Sequence, residues 1–264
     1  IRAETPDTFY LIPYAINLHF TFWMTIEPMD DLNVRKALAH SVDWGAAMNA
    51  AWEGSRNDRL MTGILTPELQ CYKEGNWPEW SYDPEKAKQE LAASAYGSAD
   101  KLPKIRITTN GQSPNYIRTA EIMVEQWKTN LGIIDVELRP GTLKDAWGQE
   151  ADLVNIRRQS QGAILPDPVN LMSSHYATMS GEGGPGLVDE ELAQMLADLK
   201  LMSRDDPNFC PKVQEAEAQL LGHYFLLPMI WDIYEYNVKP HVKNFGTNVD
   251  NNWVNLLDMY VAKH

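Results

Sequence analysis

Two adjacent arginines, Arg157 and Arg158, lie in a stretch, residues 152–160, whose composition reads as a β-strand. Successive side chains of a strand point to opposite faces, so one guanidinium belongs to each face. A guanidinium turned toward a cavity clamps a carboxylate or phosphate through two parallel N–H···O bonds. The competing reading is that both are solvated or paired with some of the 36 acidic residues. The six histidines, His19, His40, His175, His223, His241 and His264, offer no i, i+4 pair around a glutamate and no cysteine at ligand spacing. A self-contained zinc or nickel site is therefore not expected, and no cofactor is. Cys71 and Cys210 lack C-x-x-C partners. They form one disulfide or remain two thiols, a choice that sequence leaves open because it depends on the approach of the two backbones.

Catalytic signatures are missing. There is no G-x-S-x-G, no G-x-x-x-x-G-K-[ST], and no G-x-G-x-x-G opening a helix after a strand. The glycine-rich run G-E-G-G-P-G at 181–186 has no lysine and reads as a flexible linker. The carboxylate pairs Asp30/Asp31 and Asp205/Asp206 sit where helix starts are expected, and capping accounts for them. Two distant carboxylates leave no local motif, so a glycoside or ester hydrolase stands as the alternative from another class. An acidic interaction module that docks a partner protein is a third.

These groups need a scaffold, and the chain supplies one. With 264 residues and 44 % hydrophobic content it can bury a core, while a net charge of −13 argues against nucleic acid as a partner. No apolar run approaches the ~20 residues that span a bilayer. Residues 9–20 read as a strand, with Pro13 marking an edge or a bulge. Asp31 stands at an N-cap position before Val34, Ala37, Leu38 and Val42, and that helix is expected to run to about Trp52. A long loop leads to Asp83-Pro84-Glu85, which caps and starts a second helix expected to end at Gly97. The loop's Trp77 and Trp80 serve either as a carbohydrate platform or as packing. Ile105 and Ile107, then Ile117 to Leu131 at helical spacing, then Ile134, Val136 and Leu138 predict a β-α-β unit with parallel strands. A short helix is expected over 142–149. Asp167 before Pro168 reads as a helix cap, and two further helices, one through Leu192 to Leu199 and one starting at Asp206-Pro207, are expected to pair. The tail after Trp231 returns to strand-like composition.

In order, these pieces are D-x-x-V-R-x-A-L-x-x-x-V-D from Asp31, Y-D-P-E-K-A-K from Tyr82, A-E-I-M-V-E-Q-W-K-T-N-L-G-I from Ala120, L-P-D-P from Leu165 and F-L-L-P from Phe225. Together they resemble the extracytoplasmic solute-binding proteins of the peptide, opine and nickel ABC importers. The resemblance implies an α/β fold, a mixed sheet with flanking helices forming one lobe of a two-lobed periplasmic-binding-protein-like clamp. It implies a non-enzymatic monomer, periplasmic or lipid-anchored, that closes over a peptide or other small solute and presents it to membrane permease subunits. Oligopeptides are the first expectation; opines, oligosaccharides and metal chelates are the alternatives. Nothing here resembles the family's N-terminal half, a signal peptide or a lipobox. The chain is accordingly read as a C-terminal lobe, with residues 1–20 entering from the first lobe, 21–231 forming the ligand-binding lobe and 232–264 returning.

Peptide-binding relatives carry W-x-x-D-x-x-D-P after the fourth of these strands, with the first Asp pairing with the peptide's amine. Aligned on Asp167-Pro168, Gln161 stands at the Trp position and Ile164 at the amine-binding Asp position. A buried ammonium without a carboxylate is costly, so the departure disfavours a free peptide N-terminus at that place. The resemblance makes Arg158, Gln161, Ile164, Trp231, His175 and Tyr176 the candidate ligand contacts. For Trp231 core burial is the competing reading.

Overall fold

The computed structural model describes residues 8–76, 81–109, 113–141, 154–163, 165–181, 184–245, 247–248, 253–254 and 259–262. The expected helix over 142–149, Trp77, Trp80, Ile164 and His264 lie outside them. One sheet organises the fold, built from β1 (Phe9–Phe22), β2 (Ile105–Thr108), β3 (Val136–Arg139), β4 (Ile156–Gly162) and β5 (Leu226–Asn237) in the order β3-β2-β4-β1-β5. β2 pairs parallel with β3 and β4, while β1 pairs antiparallel with β4 and β5. The β-α-β unit read from the sequence is present, with a helix between β2 and β3. Ile134 falls outside it: it is 80 % exposed and precedes β3. Pro13 sits where β1 has β5 alone as a neighbour, and the register shifts directly after it, so its missing N–H breaks no ladder between two strands. Two short antiparallel pairs follow, β6 (Val242–Lys243) with β9 (Tyr260–Val261) and β7 (Thr247–Asn248) with β8 (Trp253–Val254).

Seven α-helices flank the sheet: α1 (Leu32–His40), α2 (Trp44–Ala51), α3 (Pro84–Ala93), α4 (Pro114–Leu131), α5 (Pro168–Ser180), α6 (Glu190–Leu201) and α7 (Phe209–Gly222), counted among the described residues. Asp31, Asp83 and Asp167 cap as expected, accepting from Asn33 N at 2.7 Å, Lys86 N at 2.9 Å and Asn170 N at 2.8 Å. The single helix expected from Asp31 to Trp52 is two. Ser41 Oγ turns back to Leu38 O at 3.0 Å, and Asp43 accepts from Ala46 N at 2.9 Å, which restarts the chain as α2. Similarly α3 stops before Gly97, because Ser94 turns its hydroxyl onto Leu91 O. α7 begins at Phe209 rather than at Asp206-Pro207, since the Asp206 carboxylate takes Asn208 N at 2.8 Å ahead of the helix. α4 ends where Gly132 adopts φ 77°, as its sequence predicts. The far end of the glycine-rich run is pinned rather than loose. Pro185 is buried and its carbonyl accepts from Met24 N at 2.8 Å, while Gly186 N donates to Met179 O at 2.9 Å.

Residues 60–76 have almost no helix or strand of their own and are held by one face of α7. Cys210, Gln214 and Glu217 follow at helical i, i+4, i+7 spacing. Cys210 is bridged to Cys71 with their α-carbons 4.8 Å apart. Gln214 Nε2 donates to Cys71 O at 3.0 Å, and its own carbonyl accepts from Asn76 Nδ2 at 3.0 Å. The Glu217 carboxylate is buried and accepts from Ile64 N at 2.7 Å, Leu65 N at 2.8 Å and Asn76 Nδ2 at 2.8 Å. Burial pushes its carboxyl up from the ordinary range, and those three donors oppose the shift. A β-carbon at Gly63 would meet Glu217 Oε1 at 2.8 Å, which explains a glycine beside the carboxylate. The bridge closes a loop of 139 residues. Its replacement by Cys71→Ala with Cys210→Ala is expected to lower stability by about 3–5 kcal/mol in urea unfolding. An unchanged midpoint would show that the noncovalent contacts alone hold the segment.

Candidate functional site

Cross-strand partners share a face, so the register of β1 sorts the candidate residues into two groups. Asn17 pairs with Gln161 on one side and Trp231 on the other. That row faces α5. Gln161 Nε2 donates to Ser174 Oγ, and Asn17 Nδ2 donates to Ile64 O at 3.1 Å and to His175 Nε2 at 3.0 Å. The carbonyl contact fixes the amide's orientation, which leaves Asn17 Oδ1 to accept from His19 Nδ1 at 3.0 Å. Both imidazoles therefore carry their proton on Nδ1. Both are fully enclosed, and burial pushes them down: His175 to about 3, and His19 well below 6.5, helped by His175 and by Arg158. His175 packs edge-on to Phe225 and belongs to the interior. Tyr176 points to α6, where its hydroxyl donates to Asp189 O at 2.8 Å. Trp231 is 3 % exposed and meets Tyr72 edge-on at 5.4 Å, the packing reading rather than a stacking platform.

The opposite face carries Arg158, which pairs with Phe20, whereas Arg157 pairs with Thr21. The two arginines thus alternate as the strand pattern requires, but neither is solvated, at 2 % exposure for Arg157 and 9 % for Arg158. Arg157 lies 3.5 Å from the ring centroid of Trp23. Arg158 lies 3.9 Å from that of Tyr116, in the first turn of α4, and its Nη2 donates to the Tyr116 hydroxyl at 2.8 Å. From there a ladder of rings and cations continues: Tyr116 to Trp52 at 6.0 Å, and Trp52 to the Arg56 guanidinium at 5.4 Å. Arg56 pairs with Glu235 at 2.7 Å, and Arg59 forks onto Glu68 at 2.6 and 3.3 Å while its Nε reaches Trp231 O at 3.2 Å. Burial lowers the affinity of Arg158 for its proton, which Tyr116 and Asp232 partly restore. Burial raises the Asp232 carboxyl, opposed by Ile233 N and by the charges of Arg56, Arg158 and Arg59.

Of this group the strand pattern identifies Arg158 but not Tyr116, Trp52, Arg56, Arg59 or Asp232. Asp232 is legible in principle, because alternation from Trp231 sends it to the Arg158 face. The others come from a loop and from helix ends whose approach to β4 only tertiary structure specifies. Among the described residues no group of three or more His, Cys, Asp and Glu is arranged to hold a metal ion, and no helix is long and apolar enough to cross a membrane.

The family model for bacterial extracellular solute-binding proteins, family 5 middle, matches residues 2–182. The oligopeptide-binding protein OppA of Bacillus subtilis is 24 % identical over 194 residues, 70 % of this chain and 34 % of that one. Among solved structures, the murein tripeptide binding protein MppA of Escherichia coli is similar at a TM-score of 0.83 and 19 % identity, covering 100 % of this chain and 51 % of that one. Haemophilus influenzae OppA, in complex with the peptide RPPGFSPFR, gives 0.80 and 19 % over 99 % and 51 %. These structures share the fold, and the chain spans less than half the length of the curated relatives it matches.

The buried histidines make a pH prediction. Their folded pKa is depressed, so below the ordinary 6.5 the unfolded chain binds the extra protons; their stability is complete above 6.5 and is lost as pH falls toward about 3. His175→Gln keeps an acceptor for Asn17 and removes one titration. Its urea midpoint is expected to fall less steeply below pH 6.5 than the unaltered chain's, by up to about 1.4 kcal/mol per pH unit. Parallel profiles would show that His175 is charged in the folded state.

Proposed function

The chain belongs to family 5 of the bacterial extracellular solute-binding proteins, and from that premise we propose that it is the ligand-gripping part of the substrate-binding component of an ABC importer, acting outside the cytoplasm by closure over a solute. The solute is an oligopeptide or a related molecule with an acidic group, delivered to membrane permease subunits; the protein works as a monomer and makes no bond. Named relatives bind oligopeptides, heme and glutathione, a range that favours a shared clamp with variable contacts.

The observation that carries this reading is Arg158. Its guanidinium is desolvated and oriented by Tyr116, yet no carboxylate stands within ion-pair distance among the described residues, and its buried Nε has no acceptor. A preoriented guanidinium without a direct ion pair is the fitting receiver for a ligand carboxylate. Gln161, at the family's Trp position, is tied to Ser174 of α5, so any contribution it makes to ligand binding comes through a rearranged amide. In this reading the acidic end of the ligand makes the charge pairing that an isoleucine at position 164 has no group to make.

Calorimetry on the intact natural protein provides the test. Arg158→Ala is expected to weaken binding of a peptide with a free C-terminal carboxylate by about 10- to 100-fold, as follows from removal of a charge-assisted hydrogen bond. The C-amidated form of the same peptide should be nearly indifferent to the substitution. Equal effects on both forms would remove Arg158 from the site.

A further inference from the structure

The α6–α7 pair carries a recess that solute binding does not use. On α6, Leu192, Leu196 and Leu199 repeat at i, i+4 and i+7 spacing and are buried. Beside them runs a second stripe, Glu191, Met195, Asp198 and Met202, in which acid and methionine alternate. With Lys212 and Glu215 of α7 as the opposite wall, this stripe lines a recess of about 530 Å³, to which Leu199 and Leu201 also contribute. Leu201 is 90 % exposed, so a large apolar side chain stands in water beside two half-buried methionines. The four charged residues of the recess are exposed as well, and none is in an ion pair among the described residues. Asp198 alone has a side-chain partner, accepting from Gln194 Nε2 at 2.7 Å. The lining therefore combines apolar surface with three carboxylates against one ammonium. Among the described residues, no candidate ligand contact belongs to it.

We propose that this recess is a docking groove for a basic amphipathic helix of a partner protein. Charge complementarity selects that occupant. The apolar face of such a helix covers Leu201, Met195 and Met202, and the unbranched, polarizable methionines adapt to its side chains. Glu191 and Asp198 are seven residues apart, about 10.5 Å along the axis of α6, so basic side chains at i and i+7 of a helix laid alongside meet both carboxylates. Glu215 receives a third cation from the α7 side, where Lys212 offsets part of the negative charge. A second copy of this chain fits less well, since a net charge of −13 sets like against like. An anionic membrane surface is repelled by the same carboxylates. The acidic docking role read from composition thus gains a place of its own, beside solute binding rather than instead of it.

The probe is a synthetic helical peptide of about 15 residues, blocked at both ends, with leucines along one face and arginines at i and i+7 beside them. Its twin carries glutamates in place of the arginines. Each is titrated into the intact natural protein at low ionic strength while the methionine methyl signals are followed by NMR. The arginine peptide should move the Met195 and Met202 signals and bind at least about 10-fold more tightly than its twin. Glu191→Gln combined with Glu215→Gln should bring the two peptides within about 3-fold of each other, and Leu201→Ser should weaken both. All three positions are exposed, so the substitutions leave the fold intact. Signals of Met195 and Met202 that stay still, or a preference for arginine that survives the double substitution, overturn the assignment. So does movement of these signals with protein concentration alone, which would make the groove an interface between copies. Movement with phosphatidylglycerol vesicles but with neither peptide overturns it in favour of a membrane contact. None of these results bears on the solute-binding reading, which the Arg158→Ala titrations decide separately.

Discussion

β1 is paired on both sides over residues 17–21, to β4 and to β5, and its side-chain alternation is the constraint from which the rest of the lobe takes its order. Odd positions Asn17, His19 and Thr21 carry the polar network toward α5; even positions Leu18, Phe20 and Phe22 carry the apolar floor of the other side. A slip of one residue would send the amide and imidazole into hydrocarbon and the phenylalanines into a polar layer. Asn17 works against that slip. Its amide is satisfied by Ile64 O, His175 and His19 only in this register, and a buried amide without those partners would cost a few kcal/mol.

The chain is acidic as a whole, and it keeps several of its cations inside. Arg35, Arg56, Arg59, Arg157 and Arg158 are all buried. Arg35 serves structure, its guanidinium donating to Met29 O at 2.6 Å and to His223 O at 2.9 and 3.2 Å, so that it ties the start of α1 to the end of α7. Arg56 and Arg59 are neutralised by glutamates. The same residue type is thus used as a backbone clamp, as half of an ion pair and as a charge oriented by a tyrosine without a direct ion pair among the described residues. The partners within reach, rather than the identity of the side chain, decide which.

Local chemistry is legible in the sequence. The caps at Asp31, Asp83 and Asp167, the stop at Gly132 and the β-α-β period depend on residues within a few positions of one another, and they stand where the pattern puts them. The break between α1 and α2 is hidden because Val42 continues the apolar spacing across Ser41 and Asp43, while the hydrogen bonds of those two side chains end one helix and start the next. The bridge between Cys71 and Cys210 does not follow from spacing, since α7 and a distant loop bring the cysteines together. For the site, alternation correctly divides Arg157 from Arg158, but both are buried where solvent was the competing expectation. A charged side chain in a strand gives no sign in sequence of the aromatic ring that will cover it. For Trp231 the sequence leaves burial and ligand contact both open, and for His175 it gives no sign of an interior place, because their burial is produced by Phe225, Tyr72 and Asn17 from other parts of the chain.

The grip of α7 on residues 60–76 has a consequence for how the lobe breathes. Ile64 and Leu65 have their amide hydrogens on the Glu217 carboxylate, and the covalent bridge lies a few residues further along the same loop. An opening that exposes those amides must also strip a buried carboxylate of its donors or carry the helix with it. The segment and α7 are therefore expected to open as one cooperative unit, with these loop amides exchanging as slowly as those of the helix.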